Sequence, residues 1–474
     1  MKKPFIAALA ALMTLPALAE NAPASPELES AQQQIEALKA QLERLEATVD
    51  YLKANAQAAR KDAAVAAVDV STLKTTASKF VWSGDFRYRH EMIDAEEAAT
   101  SRTRERVRLR FGVLAKVNDT ISAKIQLSTT NTGNDSARST NQTLGTSWDR
   151  KPLSIDLAYV DWKASDLFNL QLGKMPIPWT KTASYFWDND LTPEGAALKF
   201  SRGPIFAGVY YNWLNERDVA KSSGASTDAT MVGAQLGIKQ SFGKSTLTAA
   251  VGYFDLNGVQ DQITAFAAPV VANPATIPPI VAFPGCNIDG AFGGGQGTGN
   301  NSFGNTTYSG AAPQVGSSTV CTRLQSDFNL IEGLVQLDFL AGKYPVTVFV
   351  DYMQNNGAKV NAAAGKKLDT ALSGGFMFNK ASAPKSWEAG VVYQKAKKDA
   401  VFGQFHDSDF GGGVTDTDGY ALKAAWVPAA SWTLNGTYFI NQRFNDVATA
   451  TGIVTTAKKD YDYKRLQLDL NYKF

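Results

Sequence analysis

The chain has 474 residues, with 47 Lys and Arg against 45 Asp and Glu, so it lacks the basic excess that a nucleic-acid binder needs. Glycine (38), Phe (25), Tyr (16) and Trp (9) are plentiful while charged residues make up 19%, a balance that suits one large β-barrel better than two or three soluble domains. With only His90, His406, Cys286 and Cys321, and neither histidine next to a cysteine, a metal centre is not expected, and no cofactor motif stands out.

The N-terminus reads "MKKPFIAALAALMTLPALAE". Lys2 and Lys3 precede an apolar run from Phe5 to about Leu15, and Ala17-Leu18-Ala19 follows as an A-x-A site. The run is shorter than the ~20 apolar residues of a spanning helix. A secretory signal, residues 1–19, is the expectation, with an uncleaved anchor as the alternative. Loss of Lys2 and Lys3 leaves 45 residues of each sign and a mature net charge near zero.

Residues 20–76 are expected to form a short linker and a helix. Leu28, Ala31, Ile35, Leu38, Leu42, Leu45, Val49, Leu52 and Ala56 recur at spacings of three and four among Gln, Glu, Lys and Arg. That is a coiled-coil seam. Its predicted span from Pro26 to about Val70 is ~65 Å at 1.5 Å per residue. Ile or Val at one seam position and Leu at the other favours dimers when taken alone. The trimer expected here rests on the barrel that follows, and a single solvated helix is the alternative.

From Phe80 to Phe474 the period becomes two, so successive side chains take opposite faces. Sixteen strands are predicted, at about 80–90, 104–117, 121–129, 153–163, 168–175, 194–200, 205–214, 230–240, 245–255, 328–340, 345–353, 369–379, 386–395, 418–427, 431–441 and 463–474. Short turns such as "NDT", "SRGP", "SFGK" and "AGKY" follow even-numbered strands, and longer polar loops follow odd ones. This asymmetry is the layout of an outer-membrane barrel, and it argues against a soluble β-sandwich. The longest loop, about 257–327, holds Cys286 and Cys321. In an oxidising compartment these are expected to pair, with two independent thiols as the alternative.

The stretch "TRERVRLRFGVLAKV" alternates Arg104, Arg106, Arg108 and Arg110 with apolar residues. Arginine facing lipid near the midplane costs ~2–4 kcal/mol each, so this face is expected to line a water-filled lumen. Arg87, Arg89 and Lys124 join it, while Asp156, Glu332, Asp338, Glu388 and Asp469 are acidic candidates on later strands. Opposed basic and acidic walls predict a diffusion pore with weak anion preference. The alternative is that the charges only solvate the lumen, and no phosphate-specific signature beyond charge is present. Trp82, Tyr159, Trp162, Tyr211, Trp213, Trp426, Tyr438 and Tyr472 are candidates for interfacial girdles.

Taken together, "WSGDFRYRHE", "RTRERVRLRFGVLAKV", "SIDLAYVDWK", "NLQLGKMPIPW" and the terminal "LNYKF" resemble the putative porin family of Gram-negative bacteria, which shares its broad plan with phosphate-selective porins. The resemblance implies a sixteen-stranded trimeric channel in outer-membrane lipid. It also implies that Phe474 is read by the barrel-assembly machinery, and that the third extracellular loop folds inward. Here that loop is "KMPIPWTKTASYFWDNDLTPE": Pro176 and Pro178 stop the strand, Trp179, Tyr185, Phe186 and Trp187 are candidates to pin it, and Lys181, Asp188 and Asp190 are left for the passage. A surface loop with buried aromatics is the alternative. Two other functional classes remain: a structural tether to peptidoglycan acting through the coiled coil, and a barrel enzyme, for which neither His90 nor His406 stands in a recognisable catalytic motif.

Overall fold

The computed structural model describes residues 26–130, 137–216, 228–261, 263–265, 302–311, 320–362, 364–444 and 460–474. They fall into two units, one ending at Ser78 and the other running Lys79–Phe474.

The first unit is the helix Pro26–Ala77 (α1), seven residues longer than the sequence suggests. Its interior lacks glycine and is rich in Ala, Leu, Gln, Glu and Lys, the strongest helix formers. Pro26 occupies the first turn, where a missing N–H costs nothing. The 52 residues reach ~78 Å. Ile35, Leu38, Leu42, Leu45, Val49 and Leu52 are 41–65% exposed, so the apolar seam is uncovered in the single chain.

The second unit is a closed antiparallel barrel of sixteen strands, and every predicted strand is present. They are β1 (Phe80–Ala95), β2 (Arg102–Lys116), β3 (Ile121–Thr129), β4 (Leu153–Trp162), β5 (Phe168–Lys174), β6 (Glu194–Arg202), β7 (Ile205–Asn215) and β8 (Ala229–Phe242). The second half comprises β9 (Ser245–Asn257), β10 (Phe328–Ala341), β11 (Tyr344–Asn355), β12 (Thr370–Asn379), β13 (Trp387–Ala396), β14 (Thr417–Trp426), β15 (Trp432–Phe444) and β16 (Asp460–Lys473). Each strand pairs with the next, and β1 pairs with β16 from Asp85↔Lys473 to Ala95↔Tyr463, which removes the sheet edges. Main-chain bonds in both directions between Gly84 and Phe474 finish the seam.

Turn chemistry sets the asymmetry of the two ends. Gly203, Gly243 and Gly342 take φ of 57°, 59° and 65° in the tight turns after β6, β8 and β10, a left-handed conformation that glycine adopts without strain. The outward face is apolar along its length, with Leu109, Phe111, Ile125, Leu172, Val209, Leu236, Val251, Val335, Val350, Phe376, Leu422 and Leu468 exposed. With no water in hydrocarbon, a closed sheet presenting such a band satisfies its own backbone while meeting lipid. Seven of the eight girdle candidates lie on this face. Tyr159 does not: it points inward and packs against the core. A bulge in the β3–β4 register sits between Gln126 and Leu127. Tyr159 and Trp162 are also three residues apart on one strand and so cannot share a face.

The core of the barrel is inside it. Tyr210, Met231, Phe254, Leu256, Phe328, Leu330 and Met353, from β7 to β11, pack against Met175, Trp179, Phe186, Trp187 and Phe402 from loops. One side of the lumen is therefore filled by an apolar cluster. Polar cavities remain against the arginine wall of β1–β2 and β14–β16 and beside Asp161, Asn169, Lys199 and Gln235 of β4–β8.

The disulfide expected between Cys286 and Cys321 involves Cys286, which lies outside the described residues. Within the long loop, Ile263–Ala265, Thr307–Ala311 and Val320–Leu324 form a small three-stranded sheet.

Candidate functional site

The arginine ladder takes its shape from strand register. Pairing of β1 with β2 places Asp85 beside Arg110, Arg87 beside Arg108, Arg89 beside Arg106 and Glu91 beside Arg104. Two of these pairs are arginine against arginine, an arrangement that is unfavourable unless carboxylates intervene. They do. Asp85 accepts from Arg108 Nη2 at 2.8 Å and from Arg110 Nε at 2.7 Å. Asp469 on β16 accepts from Arg89 Nε at 2.7 Å and lies 3.6 Å from Arg87, whose Nε also donates to Asn471 at 2.9 Å. Glu91 is fully buried between Arg104 and Arg465. Arg106 donates to the Asn141 carbonyl at 2.9 Å, and Arg89, Arg106 and Arg108 are themselves buried.

The loop after β5, residues 175–193, crosses the lumen. Its hydrogen bonds and ion pairs reach both sides of the barrel, which a surface loop cannot do. Thr180 N–H donates to Gln235 on β8, Trp187 Nε1 to Glu332 on β10 at 3.1 Å, Thr182 and Ser184 hydroxyls to Asp351 on β11, and Tyr185 N–H to Gln394 on β13. On the opposite side Asp190 accepts from the Thr140 hydroxyl at 3.0 Å and lies 3.8 Å from Arg108. Trp179, Phe186 and Trp187 anchor it in the apolar cluster.

A second loop, residues 397–416, also enters the lumen. Asp409 Oδ2 accepts from Arg89 at 3.2 Å and Oδ1 from Arg465 at 2.7 Å, while Phe410 stacks on Tyr185 at 5.0 Å. The two loops are stitched together: Asp188 N–H donates to the Phe405 carbonyl, Ser408 N–H to Asp188, and Asp407 N–H to the Tyr185 carbonyl. Arg138, from the loop after β3, donates to the carbonyls of Gly403, His406 and Gly413. Asn305, at the end of the long loop, binds the Lys398 and Val401 carbonyls. These contacts leave a cavity of about 510 Å³ against the arginine wall, lined by Arg87, Arg110, Lys423 and Lys473 on strands and by Asp407 and Asp409 on the loop.

Burial and neighbouring charge set the protonation of the loop groups. Burial pushes Asp409 up, but Arg465 and Arg89 outweigh it and hold the carboxyl well below its ordinary range. Burial, then the charge of Asp409, pushes Asp407 up to about 6. Asp188 rises for the same reasons, burial first and then Asp407 and Asp190. Burial, with Arg138 close by, pushes His406 down to about 3, so its ring is neutral; its Nε2 lies 3.0 Å from the Gln394 amide.

A family model described as putative porin matches residues 53–474. The chain belongs to the putative porin family. As a family member with a closed sixteen-stranded barrel, it is an outer-membrane channel protein. Comparison with curated proteins gives no match. Similar solved structures include Pseudomonas putida OprB at high pH (11% identity, 86% of this chain and 97% of that one, TM-score 0.49). Salmonella typhi OmpF in complex with daunomycin is 10% identical over 83% of this chain and 97% of its own, with a TM-score of 0.44. The trimer form of Vibrio cholerae OmpT is 11% identical over 83% and 99%, with a TM-score of 0.41.

The lumen differs from the expected pair of opposed walls. Asp469 lies on the same wall as the arginines it neutralises. Glu332 is fully buried under the loop after β5 and does not line the passage, because Trp187 and the apolar cluster seal it from water. Asp156 accepts from Gln126 at 2.8 Å, Asp338 is held by Gln336 and Thr347, and Lys124 donates to Ser83 at 3.0 Å. Glu388 is half-buried on β13. Lys181 donates to the Trp187 carbonyl at 2.9 Å and to Asn189 at 2.7 Å. Asp188 is 4% exposed at the seam between loops. Asp85, Glu91, Arg465, Asp409 and Arg138 were not singled out by sequence. Asp85 and Glu91 share parity with Arg87 and Arg89 in "DFRYRHE", so period two points to both. Nothing local in the sequence shows where Asp409 and Arg138 dock.

Proposed function

We propose that the protein is a passive outer-membrane porin that passes ions and small hydrophilic solutes, with a weak preference for anions. The observation that carries this is the charge around the lumen cavity. Seven cations line it: Arg87, Arg89, Arg108, Arg110, Arg138, Lys423 and Lys473. Four carboxylates face them: Asp188, Asp190, Asp407 and Asp409. Even with Asp85 and Asp469 added behind the arginines, positive charge is in excess by one. A low-dielectric wall focuses that field on a narrow passage, and rings of one sign set ion preference. Pairing explains why the preference is weak: most guanidiniums already hold a carboxylate.

The remaining parts fit this reading. Residues 1–19 act as an export signal, and α1 lies in the periplasm as a coiled-coil clamp for a homotrimer, its exposed Leu38, Leu42 and Leu45 covered by the same residues of two further copies. Phe474 closes the last strand as the assembly signal. Purified protein in planar bilayers should give discrete conductance steps in multiples of three. A bilayer that stays silent at saturating protein contradicts the channel, and single independent steps contradict the trimer.

A further inference from the structure

We propose that the passage beside the loop after β5 holds a subsite for a small zwitterion, a free α-amino acid, between Asp156 of β4 and Arg110 of β2. The proposal goes beyond the anion reading and needs no current to be tested. Three cavities adjoin along this loop. An outer one of about 440 Å³ begins where β3 ends and β4 starts, at Thr129 and Ser154. A middle one of about 290 Å³ shares Thr140, Asp156 and Asp190 with it. The middle one also shares Arg110 and Asn189 with the cavity against the arginine wall, which runs on to Lys473 and to Ala381 in the short turn after β12. A solute moving along this run from the long-loop end to the short-turn end passes the middle cavity.

The sign of the lining changes along the run. Around the outer cavity Lys174 faces Asp156, Asp190 and Glu194, an excess of negative charge. Around the inner one seven cations face four carboxylates. The middle one is balanced, with Arg110 and Lys181 against Asp156 and Asp190. Asp190 is committed to Thr140 and lies 3.8 Å from Arg108, and Lys181 donates to the Trp187 carbonyl and to Asn189. Asp156 and Arg110 keep capacity. Asp156 is half-buried, and its Oδ2 accepts from Gln126 at 2.8 Å. The side chain of Arg110 is 28% exposed, and its Nε donates to Asp85 at 2.7 Å. Among the described residues neither Oδ1 of Asp156 nor either Nη of Arg110 has a partner, and none of these atoms is enclosed.

Strand register sets the spacing. Arg110 pairs with Ser128 on β3, and Ser128 pairs with Ser154 on β4. Two ladder steps of about 4.8 Å put the strands of Arg110 and Asp156 about 10 Å apart. Asp156 is the extra residue of the bulge between Gln126↔Leu157 and Leu127↔Ile155, a device that re-aims a side chain. Both groups reach into the gap, so one small molecule can touch both. Their charges select it. A monoanion pairs with Arg110 but meets repulsion from Asp156 and Asp190. A monocation pairs with Asp156 but meets repulsion from Arg110 and Lys181. A carboxylate and an ammonium on one carbon satisfy both: the Nη atoms donate to the first, and the second donates to Oδ1. The change of sign along the run orients the solute, ammonium toward the outer cavity and carboxylate toward the inner.

The test is saturation-transfer NMR of the full-length protein in deuterated detergent micelles, titrated with alanine, N-acetylalanine and alaninamide below the α-amino pKa of about 8. The three share one skeleton and carry both charges, the carboxylate alone and the ammonium alone. Alanine is expected to saturate, with the other two at least tenfold weaker. Asp156→Asn and Arg110→Gln are each expected to weaken alanine at least tenfold; in the second, Arg108 still holds Asp85. Absence of saturation, equal binding of either single-charge probe, or an unchanged alanine affinity in a folded variant overturns the proposal. Should Arg110→Gln fail to fold, Asp156→Asn and the three-probe comparison decide alone. A silent bilayer counts against the channel and leaves this readout standing, so the two readings fail separately.

Discussion

Replacing Asp409 by Asn tests how the loop 397–416 is held in the lumen. The carboxylate accepts from Arg89 and Arg465 at 3.2 and 2.7 Å, and both cations hold it ionised at neutral pH. A charge-assisted bond contributes about 1.5–3 kcal/mol, and breaking a buried pair costs about 3–5 kcal/mol. In Asp409→Asn, Arg89 keeps Asp469 and Arg465 keeps Glu91, so neither cation is stranded. The lower end applies, about 3 kcal/mol of docking energy. That is roughly a hundredfold in the ratio of docked to released loop. Phe410 against Tyr185 and Phe439 still holds the loop most of the time. Single-channel records at pH 7 should therefore show frequent brief openings above the wild-type level. Loss of a negative charge should also move the reversal potential toward the anion limit. An Asp409→Asn channel as quiet and as selective as wild type would refute the idea that this ion pair clamps the loop.

Asp407 gives a pH dependence. Its folded value, about 6, lies above the ordinary carboxyl value, so the folded state binds the extra proton between about pH 4 and 6, and the loop seam weakens as pH rises through that window. Asp188 and Asp409 repel the new charge, while Lys181 and Lys423 offset part of it. Anion preference should fall and flicker should rise from pH 5 to 7, and Asp407→Asn should flatten both curves. Gly84→Val should impair closure, because a Cβ there meets the Phe474 ring and the Arg110 carbonyl; heat-modifiable gel mobility should show less folded barrel. Leu38→Asp with Leu45→Asp should convert a trimeric mass to a monomeric one by light scattering in detergent, with the barrel's β circular dichroism unchanged.

The strands were legible because two solvents act on them at once. Lipid outside and water inside force a strict alternation, as in "RLQLDLNYKF", and glycine turns mark where it restarts. Tyr159 shows how a face is misassigned when residues three apart are grouped together. The loops were half legible. Trp179, Tyr185, Phe186 and Trp187 announce a segment that must bury itself, and it does so across the barrel. "FGQFHDSDFGGG" carries three Phe and two Asp, but its partners lie up to 320 residues away, at Arg89. Long-range docking of that kind leaves no periodicity. Pairing within the ladder was also hidden, since it depends on the β1–β2 register, which brings arginine beside arginine and leaves Asp85 and Glu91 at the ends.

The central claim is that guanidinium and ammonium groups outnumber the carboxylates around the lumen cavity. Reversal potential across a tenfold potassium chloride gradient tests it most directly, for wild type and for the Arg87→Ser, Arg110→Ser double variant, which spares the buried Arg106 and Arg108. The account predicts a wild-type potential displaced toward chloride and a double variant displaced toward potassium. A wild-type channel that prefers potassium, or a double variant indistinguishable from wild type, would contradict it.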